Sequence, residues 1–216
     1  MGVMRFLLLL IPLVMLPAQT PPATKKVADH KTAPATPAPA KNYKEAGSAS
    51  APITLEVYTD YECPACRDLY LNTLPPLMTD FVATGKVRLI HRDFPLPQHQ
   101  YSKLATKYAN AAGQIGKYDV VVNQLFQTQP EWSQSGNVDG TVAKVLAPAD
   151  LQKVRDIVKT DARLDDSMAK DVAMGNQDRL TQTPTIEIVS NGKREQIAGG
   201  MPYGILKSYL NKKLGQ

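Results

Sequence analysis

The chain has 216 residues, of which 43% are hydrophobic and 21% charged, with a formal net charge of +5 and two cysteines. Residues 1–47 hold six lysines and arginines against two acidic residues, so +4 of the +5 lies there and the rest of the chain is close to neutral. A nucleic-acid partner is therefore not expected, because the basic charge is not concentrated in the part that can fold.

Arg5 precedes the apolar run Phe6–Leu16 and the small residue Ala18, the pattern of a secretory signal peptide over residues 1–18. The run is shorter than the about 20 residues a membrane helix needs, so an uncleaved anchor is the alternative. No cysteine follows the run to carry a lipid, and no arginine pair precedes it. The predicted destination is the periplasm or the exterior, where disulfides persist. Residues 19–47 are rich in Pro, Ala, Thr and Lys and are predicted to be a disordered tether. About 170 residues remain, enough for one domain with its own core.

Ile53, Leu55 and Val57 alternate with Thr54, Glu56 and Tyr58, which predicts a strand. Directly behind it stands Asp60-Tyr61-Glu62-Cys63-Pro64-Ala65-Cys66-Arg67. Two thiols so spaced at a strand-to-helix junction read as a redox centre. A helix start stabilises a thiolate, and Pro64 suits the first helical position. The spacing predicts Cys63 as the exposed, low-pKa thiol and Cys66 as the resolving thiol one turn inside. A purely structural disulfide here would close a tiny loop and constrain the unfolded chain little. A zinc site would need about four ligands, and neither a second cysteine pair nor a histidine doublet exists, so no metal is expected. The helix carries Leu69, Tyr70 and Leu74, is expected to break or kink at Pro75-Pro76, and resumes to Val82. A second strand, Val87–His91, completes a parallel crossover.

Tyr101, Leu104, Ala105, Tyr108, Ala109 and Ala112 follow helical spacing, as do Tyr118, Val121, Val122, Leu125 and Phe126. After a polar loop containing Trp132, two further helices are predicted around Leu151–Val158 and Leu164–Val172. His91, Arg92 and Asp93 are expected to be structural. A third strand spans Thr185–Val189, and Asn191-Gly192 signals a hairpin into Glu195–Ala198. A final helix carries Ile205, Leu206, Tyr209 and Leu210.

The order βαβ, helices, ββα is that of an α/β thioredoxin-like fold with an inserted helical subdomain. Its two segments would be 48–96 and 180–216, with the insertion at 97–179. The cysteine motif, Arg92-Asp93-Phe94-Pro95-Leu96 and Thr183-Pro184-Thr185 together resemble the DsbA-like thiol-disulfide oxidoreductases. The resemblance implies a protein disulfide oxidoreductase with Cys63 and Cys66 catalytic, Glu62, Pro64 and Ala65 as active-site neighbours, and no cofactor. It also implies a cis-proline loop at Thr183-Pro184, beside the cysteines, where an extended substrate could add as a strand. The expected partners are reduced or misoxidised exported proteins and a membrane redox partner for reoxidation. An oxidase is the favoured reading; a disulfide reductase or isomerase and a peptide-binding chaperone are the alternatives. Pro64-Ala65 offers no side-chain donor between the thiols, so a milder oxidant than the strongest relatives is expected. Many relatives carry a buried acid six residues before the first cysteine, where this chain has Val57. Glu56 is adjacent but alternates to the other face, so proton coupling through that acid is expected to be missing.

Overall fold

The computed structural model describes Met1 and residues 42–216. The chain divides into two units, Met1–Pro39 and Ala40–Gln216. Of the first only Met1 is described, so the expected signal peptide and the tether as far as residue 41 lie outside the described residues.

The folded domain begins before the expected boundary at residue 48. Glu45–Ala46 form β1, which pairs antiparallel with the strand Val87–Asp93, Glu45 opposite Ile90 and Ala46 opposite Leu89. Two paired residues carry no periodicity, so composition could not separate them from the linker. Beside them the Lys44 ammonium is buried, bonded to Asp93 and, at 2.9 Å, to Asp171.

The predicted first strand is β2 (Ile53–Thr59), followed by one helical run to Val82. That run is α1 (Pro64–Asp68), a π-helical turn (Leu69–Thr73), α2 (Leu74–Leu77) and a second π-helical turn (Met78–Val82). Pro75 and Pro76 have no N–H for the carbonyls of Leu71 and Asn72, and the widened turns on either side absorb the mismatch. The expected break is thus a pair of π-turns. The next strand, β3 (Val87–Asp93), runs parallel to β2.

Six helices follow: α3 (Ser102–Gln114), α4 (Tyr118–Gln127), α5 (Gln129–Ser135), α6 (Val138–Ala143), α7 (Pro148–Thr160) and α8 (Arg163–Gln177). The short α5 and α6 were not legible as periodic segments. Trp132, expected in a polar loop, lies in α5, fully buried, with its indole N–H donating to the Leu125 carbonyl at 2.7 Å. Leu104 was expected on the buried face of α3 and is instead exposed. Thr106, Asn110 and Ala111 are buried alongside the predicted positions, because α3 is packed by α4, α6, α7 and α8 and not on a single stripe.

The chain returns through β4 (Thr185–Ser190) and β5 (Lys193–Ala198), joined by Asn191 (φ 50) and Gly192 (φ 72), the left-handed pair a tight hairpin requires. The last helix is α9 (Tyr203–Lys213). The sheet order is β1-β3-β2-β4-β5, with β2 antiparallel to β4 and β4 to β5. On one sheet face Ile53, Leu55, Val57 and Ile186 pack against Leu77, Phe81 and Leu206. On the other, α8 approaches Tyr58 and Phe94 closely at Gly175, where a Cβ would lie 2.6 Å from the Phe94 ring. No helix among the described residues is long and apolar enough to cross a membrane.

Candidate active site

The end of β2 delivers Cys63 to the start of α1. The Cys63 N–H donates to the Asp60 carbonyl at 3.2 Å, and the Arg67 N–H closes the first helical turn onto the Cys63 carbonyl at 3.1 Å. Cys63 is the extended N-cap residue and Pro64 opens the helix, where its missing N–H leaves nothing unsatisfied. Both cysteines are free thiols. Cys63 is less open than expected, at 6% exposed against 1% for Cys66. The Thr183–Pro184 peptide is cis, and the Cys63 thiol donates to the Thr183 carbonyl at 3.2 Å. The two motifs, 120 residues apart, therefore meet at one sulfur.

The two thiols are pushed in opposite directions. Cys63 falls from 9.0 to about 6, chiefly because the Cys66 thiol donates to it, helped by Thr183 and the N–H groups of Cys66 and Ala65, while burial opposes. The Thr183 carbonyl only accepts and so favours the thiol form. The Thr183 side chain contributes to the lowering, and its buried hydroxyl has no hydrogen-bond partner in the structure. Cys66 moves well above its ordinary value, first by burial and then by the neighbouring Cys63. Its main-chain donor is the Asp60 N–H at 3.5 Å. At neutral pH the reduced site is one thiolate beside one thiol.

Several supporting residues had escaped the sequence. Gln129, buried in α5, donates through Nε2 to the carbonyls of Tyr61 (2.7 Å) and Cys63 (3.0 Å). Tyr61 stacks on Phe126 with ring centroids 5.1 Å apart. The Asp60 carboxylate, fully buried, accepts from the N–H groups of Glu62 and Leu96 and pairs with His99. An aspartate two residues before a turn amide is an Asx-turn signal that could have marked Asp60. Gln129 left no signal, because its acceptors are main-chain carbonyls far away in sequence. Glu62 is held at the rim by the Tyr101 N–H at 2.5 Å. Val57 lies in the apolar core, and Glu56 is paired with Arg92 (2.8 Å) and Arg194 (3.3 Å), as its alternation required.

Gln129→Leu is expected to leave two buried carbonyls of the cysteine turn without donors, at a cost of about 1–3 kcal/mol. The loss would appear as a lower urea midpoint at unchanged m-value. Gln129→Glu, which cannot donate, should do no better than leucine; a neutral effect of both would show that the amide does not hold the turn.

A cavity of about 840 Å³ is lined by Tyr43, Tyr70, His91 and Tyr118 among others and by neither cysteine. The cis Thr183–Pro184 loop, and not this cavity, lies against the Cys63 thiol. At Gly200 a Cβ would sit 3.8 Å from the Ala65 carbonyl and 3.9 Å from Pro184, so the β5–α9 loop lies close to both the cysteine turn and the cis-proline loop. No group of three or more metal-ligating side chains is assembled among the described residues.

A family model described as Thioredoxin matches residues 41–198. A Probable disulfide bond formation protein D from Bacillus cereus is 24% identical over 155 residues, spanning 67% of this chain and 69% of its own length. The Na(+)/H(+) antiporter NhaA 1 of Salinispora arenicola is 30% identical over 149 residues, 68% of this chain, and the chain spans only 21% of that protein's length. Among solved structures, Wolbachia pipientis alpha-DsbA1 superposes with a TM-score of 0.68 at 21% identity, covering 80% of this chain and 90% of its own. Oxidised BdbD from Bacillus subtilis gives 0.66 at 22% identity, covering 80% and 93%. The family match runs from the N-terminal edge of the domain through the helices after β3 to the end of β5, and the chain therefore belongs to the thioredoxin family.

Proposed function

We propose that this thiol-disulfide oxidoreductase acts as an oxidase, giving its Cys63–Cys66 disulfide to reduced or misoxidised exported proteins. The observation that supports this reading is the opposed displacement of the thiols, Cys63 down to about 6 and Cys66 up. A substrate thiolate attacks Cys63 Sγ and the Cys63–Cys66 bond breaks, Cys66 leaving and taking a proton. The substrate's second thiolate then attacks the substrate sulfur of the mixed disulfide and expels Cys63. Cys63 leaves readily because its thiolate is stabilised, and the same stabilisation favours the reduced enzyme and makes its disulfide oxidising. Two electrons have passed from substrate to enzyme, and an external oxidant, a membrane redox partner, restores the bond.

A Cys63 value of about 6 lies between the about 7 of thioredoxin and about 3.5 of DsbA. Pro64 and Ala65 add no charge or side-chain donor, which supports an oxidant milder than the strongest. Substrate recognition falls on main chain at Thr183–Pro184, which suits a broad substrate range. Arg5 and the Phe6–Leu16 run support export to the periplasm or beyond.

Stoichiometric oxidised protein mixed with a reduced, unfolded, cysteine-containing protein tests the reading. Substrate disulfides should form as Cys63 and Cys66 become thiols, and the Cys63→Ala/Cys66→Ala double variant should form none. A reductase would leave the substrate reduced, and a chaperone would keep its effect on refolding in the double variant.

A further inference from the structure

The cavity of about 840 Å³ lies where β1 and the residues just before it, the π-helical turn after α1, β3 and the start of α4 meet. Its volume is that of a small-molecule site, and thiol-disulfide exchange makes no use of it.

Its aromatic walls are linked in series. The ring centroids of Tyr43 and Tyr118 are 5.2 Å apart, those of His91 and Tyr118 6.2 Å, and those of Tyr70 and His91 6.5 Å. The Tyr43 ring is seated on α3 at Gly113, where a Cβ would lie 2.4 Å from it, and Tyr70 is stacked on Phe126 at 4.7 Å. Both rings are thus held in place before any ligand arrives, which spares a ligand the cost of ordering them. Burial, then Lys44, pushes His91 down to about 4, so its imidazole is a neutral ring at pH 7. Leu71, Leu74 and Met78 add apolar surface.

The charges around the cavity are unequal. Lys44 gives its ammonium to Asp93 and Asp171, and Glu45 pairs with Arg88. Asp119, exposed in the first turn of α4, has no ion-pair partner among the described residues; the adjoining Lys117 goes to Asp150 at 3.8 Å. Burial raises the hydroxyl pKa of Tyr43, Tyr70 and Tyr118. After burial, Asp119 raises Tyr70 and Asp93 raises Tyr118, while at Tyr43 the Lys44 charge is opposed by Asp93, Asp171 and Asp161. The phenols stay neutral, and carboxylates dominate the field around them. We propose that this cavity binds organic cations, with a quaternary or alkylated ammonium group seated against the tyrosine rings and facing the Asp119 carboxylate.

The face of an aromatic ring is the negative part of its quadrupole and attracts a cation within about 6 Å of the centroid. Alkyl groups on the nitrogen add apolar contact with the same rings. An anion would face Asp119 and the negative ring faces, and a bare metal ion would find no cluster of ligating side chains among the described residues. The ammonium head fills only part of the volume, which leaves room over Leu71 and Leu74 for a larger apolar body. The site is separate from the thiols but backs onto the cysteine turn. Tyr118 and Tyr61 meet hydroxyl to hydroxyl at 3.4 Å, and Phe126 stacks on both Tyr70 and Tyr61. Binding there involves no redox step, so the inference is independent of the oxidase reading.

Titration of the oxidised full-length protein with choline chloride at constant ionic strength, followed by amide NMR, tests the proposal. Saturable shifts should appear at Tyr43, Tyr70 and Asp119. The uncharged alcohol in which a tert-butyl group replaces the trimethylammonium of choline has the same shape and should bind at least about fivefold more weakly, the loss of one cation–π contact. Asp119→Asn and Tyr70→Leu should each weaken choline by a similar factor, and Cys63→Ala/Cys66→Ala should bind it as the unmodified protein does. Absence of saturable shifts at the cavity, equal binding of the alcohol, shifts confined to the cysteine turn, or unaltered affinity in Asp119→Asn and Tyr70→Leu would overturn the proposal. Where Tyr70→Leu fails to fold, the choline and alcohol curves of the unmodified protein decide alone.

Discussion

Cys66→Ala is expected to accumulate mixed disulfides through Cys63, and Cys63→Ala to trap almost nothing and transfer no disulfide. The asymmetry follows from position: Cys63 caps α1 beside the Thr183 carbonyl, and Cys66 lies beneath it at 1% exposure. In the unmodified reduced protein, alkylation of Cys63 should reach half its maximal rate near pH 6, the value at which its thiolate forms. In Cys66→Ala that midpoint should move upward, because the Cys66 thiol is the largest single contributor to the lowering. Folding lowers the Cys63 pKa, so the thiolate stabilises the folded dithiol form above the ordinary thiol range, and that contribution disappears as the pH falls through about 6. The stability advantage of the reduced over the oxidised protein should shrink on acidification, as compared by urea unfolding of each form. Preferential labelling of Cys66 would reverse the assignment of roles.

Lys44→Met should be the most damaging single change outside the cysteine turn. Its ammonium lies between Asp93 and Asp171, and all three side chains are buried. Asn110 also donates to Asp93 at 2.7 Å, and Arg92 bonds Asp171 at 3.2 Å, so β3, α3 and α8 converge on a residue just outside β1. Removing one partner of a buried ion pair leaves a charge uncompensated, at a cost of about 3–5 kcal/mol. For a domain of this size that is a fall in Tm of about 10 °C. Adding Asp93→Asn and Asp171→Asn should recover part of the loss, since the uncompensated charges go with the carboxylates. Burial already raises the Asp93 pKa, opposed by Lys44, so without the lysine it should rise further. The folded variant then holds a proton that the unfolded chain has lost, and its stability should decrease as pH rises through that window. A Lys44→Met variant with an unchanged melting curve would show that the arm is dispensable. Deletion of residues 19–47 removes this lysine and β1 together and should be comparably destabilising, unlike the inert tether the composition predicts for the whole of that span.

What the sequence made legible was local. The cysteine turn, the alternation of β2 and the Asn191-Gly192 hairpin each depend on residues a few positions apart, and each appears where its chemistry required. The meeting of Cys63 with Thr183 was legible only through the resemblance, because no pattern links positions 120 residues apart. Lys44 read as one more lysine of a basic tail, since its carboxylate partners lie on β3 and α8. Gln129 acts on main-chain carbonyls, which have no sequence identity to match. His99 lacked metal-ligand spacing, and its actual partner is a single buried aspartate that the motif had already displayed. The small residues of α3 concealed how completely that helix is enclosed, because Ala111 and Asn110 fall outside a one-sided apolar stripe.

If stabilisation of the Cys63 thiolate makes the Cys63–Cys66 disulfide an oxidant, the reduction potential of that pair at pH 7 must show it. Equilibrated against glutathione, the pair should fall between the about −120 mV of DsbA and about −200 mV. A value near or below the about −270 mV of thioredoxin would instead make the protein a reductant.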